Sequence, residues 1–165
     1  MSRRLPSRAS VRPRLQGLTP LSHGALHHCF GCGLQNPTGL RLRFFLNEEG
    51  SVVCHARLAR RFSGPPGHAH GGIIATLLDE AMSKANRARG VIAMTRHIEV
   101  EYLRPVPVSV SLTLTARHVS ASGRRHYTEA QIADGSGQIL ATARAVFVAI
   151  DPAHFRKIAG MPSDR

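Results

Sequence analysis

His70-Gly-Gly-Ile-Ile-Ala-Thr-Leu-Leu-Asp-Glu-Ala-Met-Ser-Lys-Ala-Asn-Arg-Ala-Arg89, with Gly90 after it, is the only long helical pattern in the chain. Ile74, Leu77, Leu78, Ala81 and Ala85 recur at the spacing of one helical face, which predicts a helix over 71–89. Ala75, Met82 and Ala88 are small or apolar residues elsewhere on its circumference, so the helix is expected to be covered on more than one side. Gly90 is a natural C-terminal stop. About 18 residues of helix span roughly 27 Å.

Everything around this helix reads as strand. Upstream, Leu40, Leu42, Phe44 and Leu46 alternate with Arg41, Arg43 and Phe45, a half-buried strand pattern. Asn47–Gly50 reads as a hairpin turn and Ser51–Leu58 as the returning strand. Ser63-Gly-Pro-Pro-Gly67 admits neither helix nor central strand. Downstream, strands are expected over Met94–Tyr102, over the alternating run from Val108 to Thr115, over Arg125–Ala133 and over Ile139–Ile150. Turns are expected at Ser120–Gly123 and Asp134–Gly137. The order β-β-α-β-β-β-β predicts an α+β architecture, one helix against an antiparallel sheet. Residues 1–20 read as a basic, poorly ordered arm, 21–151 as the folded domain, and 152–165 as a polar tail with one loose turn near His154–Ile158.

Composition bounds the function. The chain has 165 residues and a formal net charge of +12, from 22 Lys+Arg against 10 Asp+Glu. Lys84 and Lys157 are the only lysines, and no acid precedes Glu48. Such a balance suggests an anionic partner, whether nucleic acid, phospholipid or a phosphorylated small molecule. With 5% aromatics and no Trp, a stacking platform for single strands is poorly supported, so nucleic acid is not expected. No stretch approaches the roughly 18 apolar residues of a membrane span. The acid-free, Arg/Ser-rich start has the composition of a transit peptide but reads first as an arm, and no signal-peptide apolar run follows it. Three cysteines cannot all pair within one chain, which points to a reducing compartment and a cytoplasmic location.

Three features could carry chemistry. Gly71 and Gly72 open the helix, where free N–H groups with no side chain above them can receive an oxygen that gains negative charge. Asp79 and Glu80 lie in mid-helix, where a charge is costly unless used or paired. Glu80 has Lys84 at i+4, a surface pattern of a few tenths of a kcal/mol, whereas Asp79 has no basic partner at i+3 or i+4. Asp79 is therefore the candidate general base or nucleophile, and Glu80 the supporting residue. His70 and Asp79 are separated by about 13.5 Å of rise and about 180° of rotation. They cannot meet on one helix, so a shared reaction needs two subunits with antiparallel helices. Finally, Cys29-x-x-Cys32, preceded by His27 and His28, is half of a zinc site, to which Cys54 or His55 could add. No second CxxC or HxxxH accompanies it, so the cysteines are expected to pack in a turn and no metal is expected.

These strings together resemble the hotdog-fold acyl-CoA thioesterases of the phenylacetyl-CoA thioesterase (PaaI) type, from about Cys29 to Val148. They are Cys29-Phe-Gly-Cys-Gly with Asn36-Pro-Thr-Gly-Leu40, Phe62-Ser-Gly-Pro-Pro-Gly with His70-Gly-Gly, Leu77-Leu-Asp-Glu-Ala81, and Glu99-Val-Glu-Tyr-Leu-Arg-Pro105. The resemblance implies an antiparallel sheet wrapped around one long central helix, and a homodimer or dimer of dimers with active sites between subunits. It implies hydrolysis of an acyl-CoA to a carboxylic acid and free CoA, with CoA as part of the substrate and no separate cofactor. The backbone at Gly71 and Gly72 would polarise the thioester carbonyl, His70 would orient that corner, and Asp79 of the facing subunit would activate water or attack. Thr95 stands where related enzymes keep a Ser or Thr that positions water or substrate. Arg60, Arg61, Arg124 and Arg125 are candidates for the phosphates of CoA. A non-catalytic acyl-CoA-binding protein is the alternative on the same fold. Gly64 stands where some relatives place Asn, and His68 where an apolar residue is usual.

Overall fold

A computed structural model of the chain describes residues 17–22 and 28–158. Most of the expected basic arm, and the end of the C-terminal tail, lie outside the described residues, as does His27. The elements are β1 (Thr19–Pro20), β2 (Phe45–Leu46), β3 (Val52–Ala56), α1 (Gly71–Arg87), β4 (Ala93–Tyr102), β5 (Leu112–Ser122), β6 (Arg125–Asp134), β7 (Ile139–Ala149) and α2 (Pro152–Ile158). A 3₁₀ turn, Arg60–Phe62, precedes α1.

The strands form one seven-stranded sheet in the order β1-β2-β3-β5-β6-β7-β4, with every neighbouring pair antiparallel. α1 packs on one face of it. Ile74, Leu77, Leu78, Ala81, Met82 and Ala85 are buried on the helix, which is the periodic face of the sequence with Met82 added. Opposite them the sheet offers Leu112, Leu114, Ile132 and Phe147 among small residues, Ala130, Ala141, Ala143 and Ala145, all buried. Each fully buried Leu or Ile contributes about 1.5–3 kcal/mol of transfer free energy. The alanines leave room for the sheet to close around the helix.

The helix ends as its sequence requires. His70 is the N-cap, its Nδ1 accepting from the Gly72 N–H at 2.9 Å. Gly90 adopts φ +75° just beyond the last turn, a conformation that favours glycine.

Four local expectations need correction. The alternation from Leu40 to Leu46 yields strand only at Phe45–Leu46, although Leu42 and Phe44 are buried as the pattern requires. Arg41 takes φ 51°, which breaks the extended run, and the Leu40 and Leu42 N–H groups donate to Phe30 O and Gly31 O instead of to a strand. Likewise, Ser109 at φ 63° interrupts the run from Val108, so β5 begins at Leu112, Val110 is exposed, and the strand extends through Ser122 to a turn at Gly123 and Arg124. The tail carries a two-turn helix, α2, where one loose turn is expected from sequence. Thr19–Pro20 at the end of the expected arm pairs with β2.

Candidate active site

β4 is the edge strand next to β7, and it crosses the start and middle of α1. It has a bulge between Thr95 and His97, which re-aims the strand there. Thr95 Oγ1 donates to Asp79 Oδ1 at 2.8 Å. At the far end of the same strand, Tyr102 Oη donates to the Gly71 carbonyl at 3.1 Å. One strand therefore fixes both candidate regions of α1, the carboxylate through Thr95 and the glycine-opened start through Tyr102.

Asp79 is half-buried. Burial raises its carboxyl above the ordinary carboxylate range, the Thr95 hydroxyl pulls it back, and the neighbouring Glu80 charge raises it. A carboxylate so placed, with one oxygen held by a hydroxyl, is a stronger base than a solvated one.

At the helix start the Gly72 N–H is already taken by His70 Nδ1. The Ile73 and Ile74 N–H groups both donate to His70 O. The Gly71 N–H has no acceptor among the described residues. Of the glycine pair, Gly71 thus keeps a free N–H among the described residues, and His70 caps Gly72. Accepting that N–H leaves the His70 proton on Nε2. The loop before it is tightly made: Gly64 N–H donates to His68 O, Ser63 bridges Ala69, and His70 N–H donates to Phe62 O. Gly64 lies against His70, since a Cβ there would be 3.1 Å from its Cα. His68 turns back on its own loop, with Nδ1 3.0 Å from Pro66 O.

Asp79 and Thr95 meet within the chain, and so do His70, Gly71, Gly72 and Tyr102. Between Gly71 and Asp79 lie eight residue steps, about 12 Å of helix rise. Arg60, Arg61, Arg124 and Arg125 are all exposed. The Arg61 guanidinium stacks over Phe62 at 4.8 Å from the ring centroid, and Arg124 Nε donates to Ala149 O at 3.0 Å. Two surface depressions lie among residues of β4 to β7, one lined by Glu99, Arg117 and Arg144 and one by Val119, Tyr127 and Val146, and neither includes Asp79 or His70.

Sequence reasoning passed over Tyr102, quoted only as part of a string; its hydroxyl, seven strand positions beyond Thr95, was the available signal. It also placed Glu80 and Lys84 at the surface. Their ion pair exists, at 3.4 Å, but the side chains are only 15% and 4% exposed, because the loop carrying Cys29 and Cys32 covers them. Burial, followed by the Glu80 charge, pushes the Cys32 thiol up to about 12.

Residues 66–141 match the family model described as the thioesterase superfamily. The chain is also 34% identical to the thioesterase superfamily protein RHA08564, with a TM-score of 0.71, covering 74% of this chain and 60% of that one. Over residues 66–141 the chain is similar to the thioesterase superfamily. Its sheet and central helix are the hotdog fold of that superfamily, as expected from sequence. Among curated superfamily relatives, acyl-coenzyme A thioesterase THEM4 of Rattus norvegicus is 27% identical over 125 residues, covering 74% of this chain and 54% of that protein. THEM4 of Xenopus laevis is 28% identical over 153 residues, covering 91% and 68%. The chain thus spans about half the length of the rat protein and about two thirds of the frog one. Two more distant structures share the fold. PaaI of E. coli has 21% identity and a TM-score of 0.63, covering 68% of this chain and 81% of that one. The Streptococcus mutans protein smu.793, solved bound to acetyl CoA, has 21% identity and a TM-score of 0.62, covering 66% and 88%.

Proposed function

We propose that the chain hydrolyses an acyl-CoA thioester to a carboxylic acid and free CoA, as a PaaI-type member of its superfamily. The observation that carries the reading is the pair of prepared positions on α1: a half-buried mid-helix Asp79 held by the Thr95 hydroxyl, and an uncommitted Gly71 N–H at the glycine-opened start. The first supplies a base or nucleophile, the second a donor for the oxyanion that forms when the thioester carbonyl is attacked. The names of the THEM4 relatives and the acetyl CoA bound to smu.793 support the substrate class.

The two positions are about 12 Å apart along one helix, too far to serve one carbonyl, so the reading requires a homodimer. β4 supports it: this ten-residue edge strand leaves its outer side unpaired among the described residues, and its Met94 and Tyr102 are exposed. Antiparallel pairing of two β4 edges about a twofold near Ile98 and Glu99 sets Thr95 of one copy opposite Tyr102 of the other. Asp79 of one subunit then faces Gly71 of its mate, twice per dimer. Pairing of two such dimers extends the same assembly to a dimer of dimers.

In the reaction, the carbonyl oxygen lies on the Gly71 N–H while Asp79, directly or through a water that it deprotonates, delivers the attack on carbon. The negative charge gathers at the helix start, where the backbone dipoles favour it. Collapse of the tetrahedral species expels the CoA thiolate, which takes up a proton; on the water route the carboxylic acid is then complete, and on the direct route water hydrolyses the acyl–Asp79 anhydride, releasing the acid and restoring Asp79. Arg60, Arg61, Arg124 and Arg125 offer guanidinium groups for the phosphates of CoA. Free cysteines at positions 29, 32 and 54 fit a reducing compartment such as the cytoplasm.

Release of free thiol from short, long and aromatic acyl-CoAs tests the reading, with Asp79→Asn beside the wild type. Loss of a general base predicts a fall of about 10²–10⁴-fold in kcat at unchanged circular dichroism. Wild-type-like turnover in the variant overturns the assignment. A folded wild type that binds acyl-CoA but releases no thiol makes the chain an acyl-CoA-binding protein instead.

A further inference from the structure

A second set of reactive groups converges on Glu80, the residue after Asp79. Cys29 and Cys32 of Cys29-Phe-Gly-Cys-Gly33 meet Glu80 in one cluster, with a sulfur or carboxylate oxygen from each, all within 4.8 Å of one another. Cys32 is fully buried, and Cys29 and Glu80 are half-buried. Cys29 Sγ donates to Glu80 Oε2 at 3.6 Å, and Lys84 Nζ donates to Cys32 Sγ at 3.2 Å while lying 3.4 Å from Glu80 Oε1.

The loop is built to hold this convergence. Gly33 N–H donates to Cys29 O at 2.9 Å, and the Leu40 and Leu42 N–H groups donate to Phe30 O and Gly31 O at 2.8 and 2.9 Å. Asn36 ties the loop together: its Oδ1 accepts from the Thr38 and Gly39 N–H groups and its Nδ2 donates to His28 O. Gly31 presses its backbone so closely on Glu80 that a Cβ would be 2.5 Å from Oε2. A glycine is thus needed at the point where the loop meets the carboxylate.

The donor set is two sulfurs and one oxygen, which suits zinc and not magnesium or calcium. Charge supports the same ion. Without metal, two thiols and the Glu80–Lys84 pair sum to zero. Uptake of Zn²⁺ with release of both thiol protons to solvent gives two thiolates, one carboxylate, one ammonium and one dication, again zero. A buried site must stay near neutrality, and a Cys₂Glu set alone would leave zinc one charge negative. Lys84, buried beside it, supplies the missing charge.

We propose that Cys29, Cys32 and Glu80 bind a zinc ion, with Lys84 as the charge-balancing neighbour and the fourth position left to water. Sequence counting missed the third ligand because zinc motifs are read from Cys and His spacing, and Glu80 comes from a helix 51 positions beyond Cys29. The ion clips the 29–33 loop to α1 one residue from Asp79.

The test uses the full chain, purified reduced, stripped of metal and titrated with Co²⁺ and Zn²⁺. Expected are about one metal per chain, thiolate-to-cobalt charge-transfer absorption with tetrahedral d–d bands, and displacement of cobalt by zinc. Cys29→Ser, a change at the half-exposed ligand, should weaken zinc at least about tenfold with unchanged circular dichroism, and Glu80→Gln should do the same. No cobalt absorption in the folded, reduced wild type overturns the site, as does uptake unchanged in both variants. The readout is metal, so it stands apart from thioester hydrolysis.

Discussion

Gly31→Ala tests, through a single methyl group, whether the buried ion pair holds the N-terminal loop to α1. The new Cβ would lie 2.5 Å from Glu80 Oε2, 2.8 Å from its Cδ and 3.0 Å from its Cγ. Three atoms of one side chain are affected, so a rotation of the carboxylate alone does not relieve the overlap. Glu80 must swing toward solvent, and Lys84, 4% exposed, then keeps only the Cys32 sulfur. Breaking a buried ion pair costs about 3–5 kcal/mol. Because Glu80 is 15% exposed and is displaced but not removed, the lower figure applies. Gly31 has no positive φ, so the substitution also recovers about 0.4–1 kcal/mol through the unfolded chain. The net expectation is a loss of about 2 kcal/mol, or about 4–8 °C in Tm for a chain of 165 residues. Urea melts of the reduced, metal-stripped chain measure it, with Gly135→Ala as control, since a Cβ at Gly135 meets nothing within 4 Å. The effect should shrink in a Glu80→Gln background, because residues in contact couple. A Gly31→Ala variant within about 0.5 kcal/mol of wild type, or one equally destabilised with and without the Glu80 carboxylate, would refute the reasoning.

Two further outcomes follow from β4. Thr95→Ala removes the 2.8 Å hydrogen bond to Asp79, and a bond to a charged group near solvent is worth about 1.5 kcal/mol, so kcat/KM for thiol release should fall about tenfold. Thr95→Ser should restore most of it, and equal loss in both variants would show that the methyl packing matters and the hydroxyl does not. Tyr102→Phe removes the donor to Gly71 O at 3.1 Å and should lower kcat by about threefold at unchanged Tm, about 0.6 kcal/mol. A changed KM at constant kcat would place Tyr102 in substrate binding instead of in holding the helix start.

How far the sequence carried differs along the chain, and the reason is physical. The face of α1 was legible because a helix covered by a sheet must bury a periodic stripe, and each of Ile74, Leu77, Leu78, Ala81 and Ala85 is buried. The hairpins β5–β6 and β6–β7 were legible because alternation and turn chemistry agree there. The segment 40–46 misled because alternation reports which side chains are inside, not whether the backbone is paired. Leu42 and Phe44 are inside, but Arg41 at φ 51° and the bonds to Phe30 and Gly31 replace the ladder. In the candidate site, Asp79 stood out by its helix position and Thr95 by the family string, but their hydrogen bond was not read from the sequence. The capture of Gly72 by His70 was not, because a side chain's choice of one N–H over its neighbour depends on a rotamer that no pattern encodes.

Asp79 and Glu80 show how adjacent acids on one helix come to separate uses. Successive residues point about 100° apart, so a helix that is covered on several sides must hand two neighbouring carboxylates to two environments. Asp79 meets one neutral hydroxyl, Thr95, and stays half-buried with its second oxygen uncommitted among the described residues. Glu80 meets an ammonium and a thiol under a loop that passes too close for any residue but glycine. The sequence already held the difference in Lys84, present at i+4 from Glu80 and absent from Asp79. What it could not hold was the cover: the Cys29–Gly33 loop turns an exposed pair worth a few tenths of a kcal/mol into a buried one whose disruption costs several. A carboxylate whose charge is already neutralised makes a poor base, whereas one held by a single hydroxyl keeps a lone pair for water. Interchanging the two acids, Asp79→Glu with Glu80→Asp, should therefore abolish both functions of the pair at once: thiol release, because the longer carboxylate overshoots Thr95, and the loop clip, because the shorter one falls back from Lys84 and Cys29. Hydrolysis retained at wild-type rate in the double variant would mean that the two positions are not divided in this way.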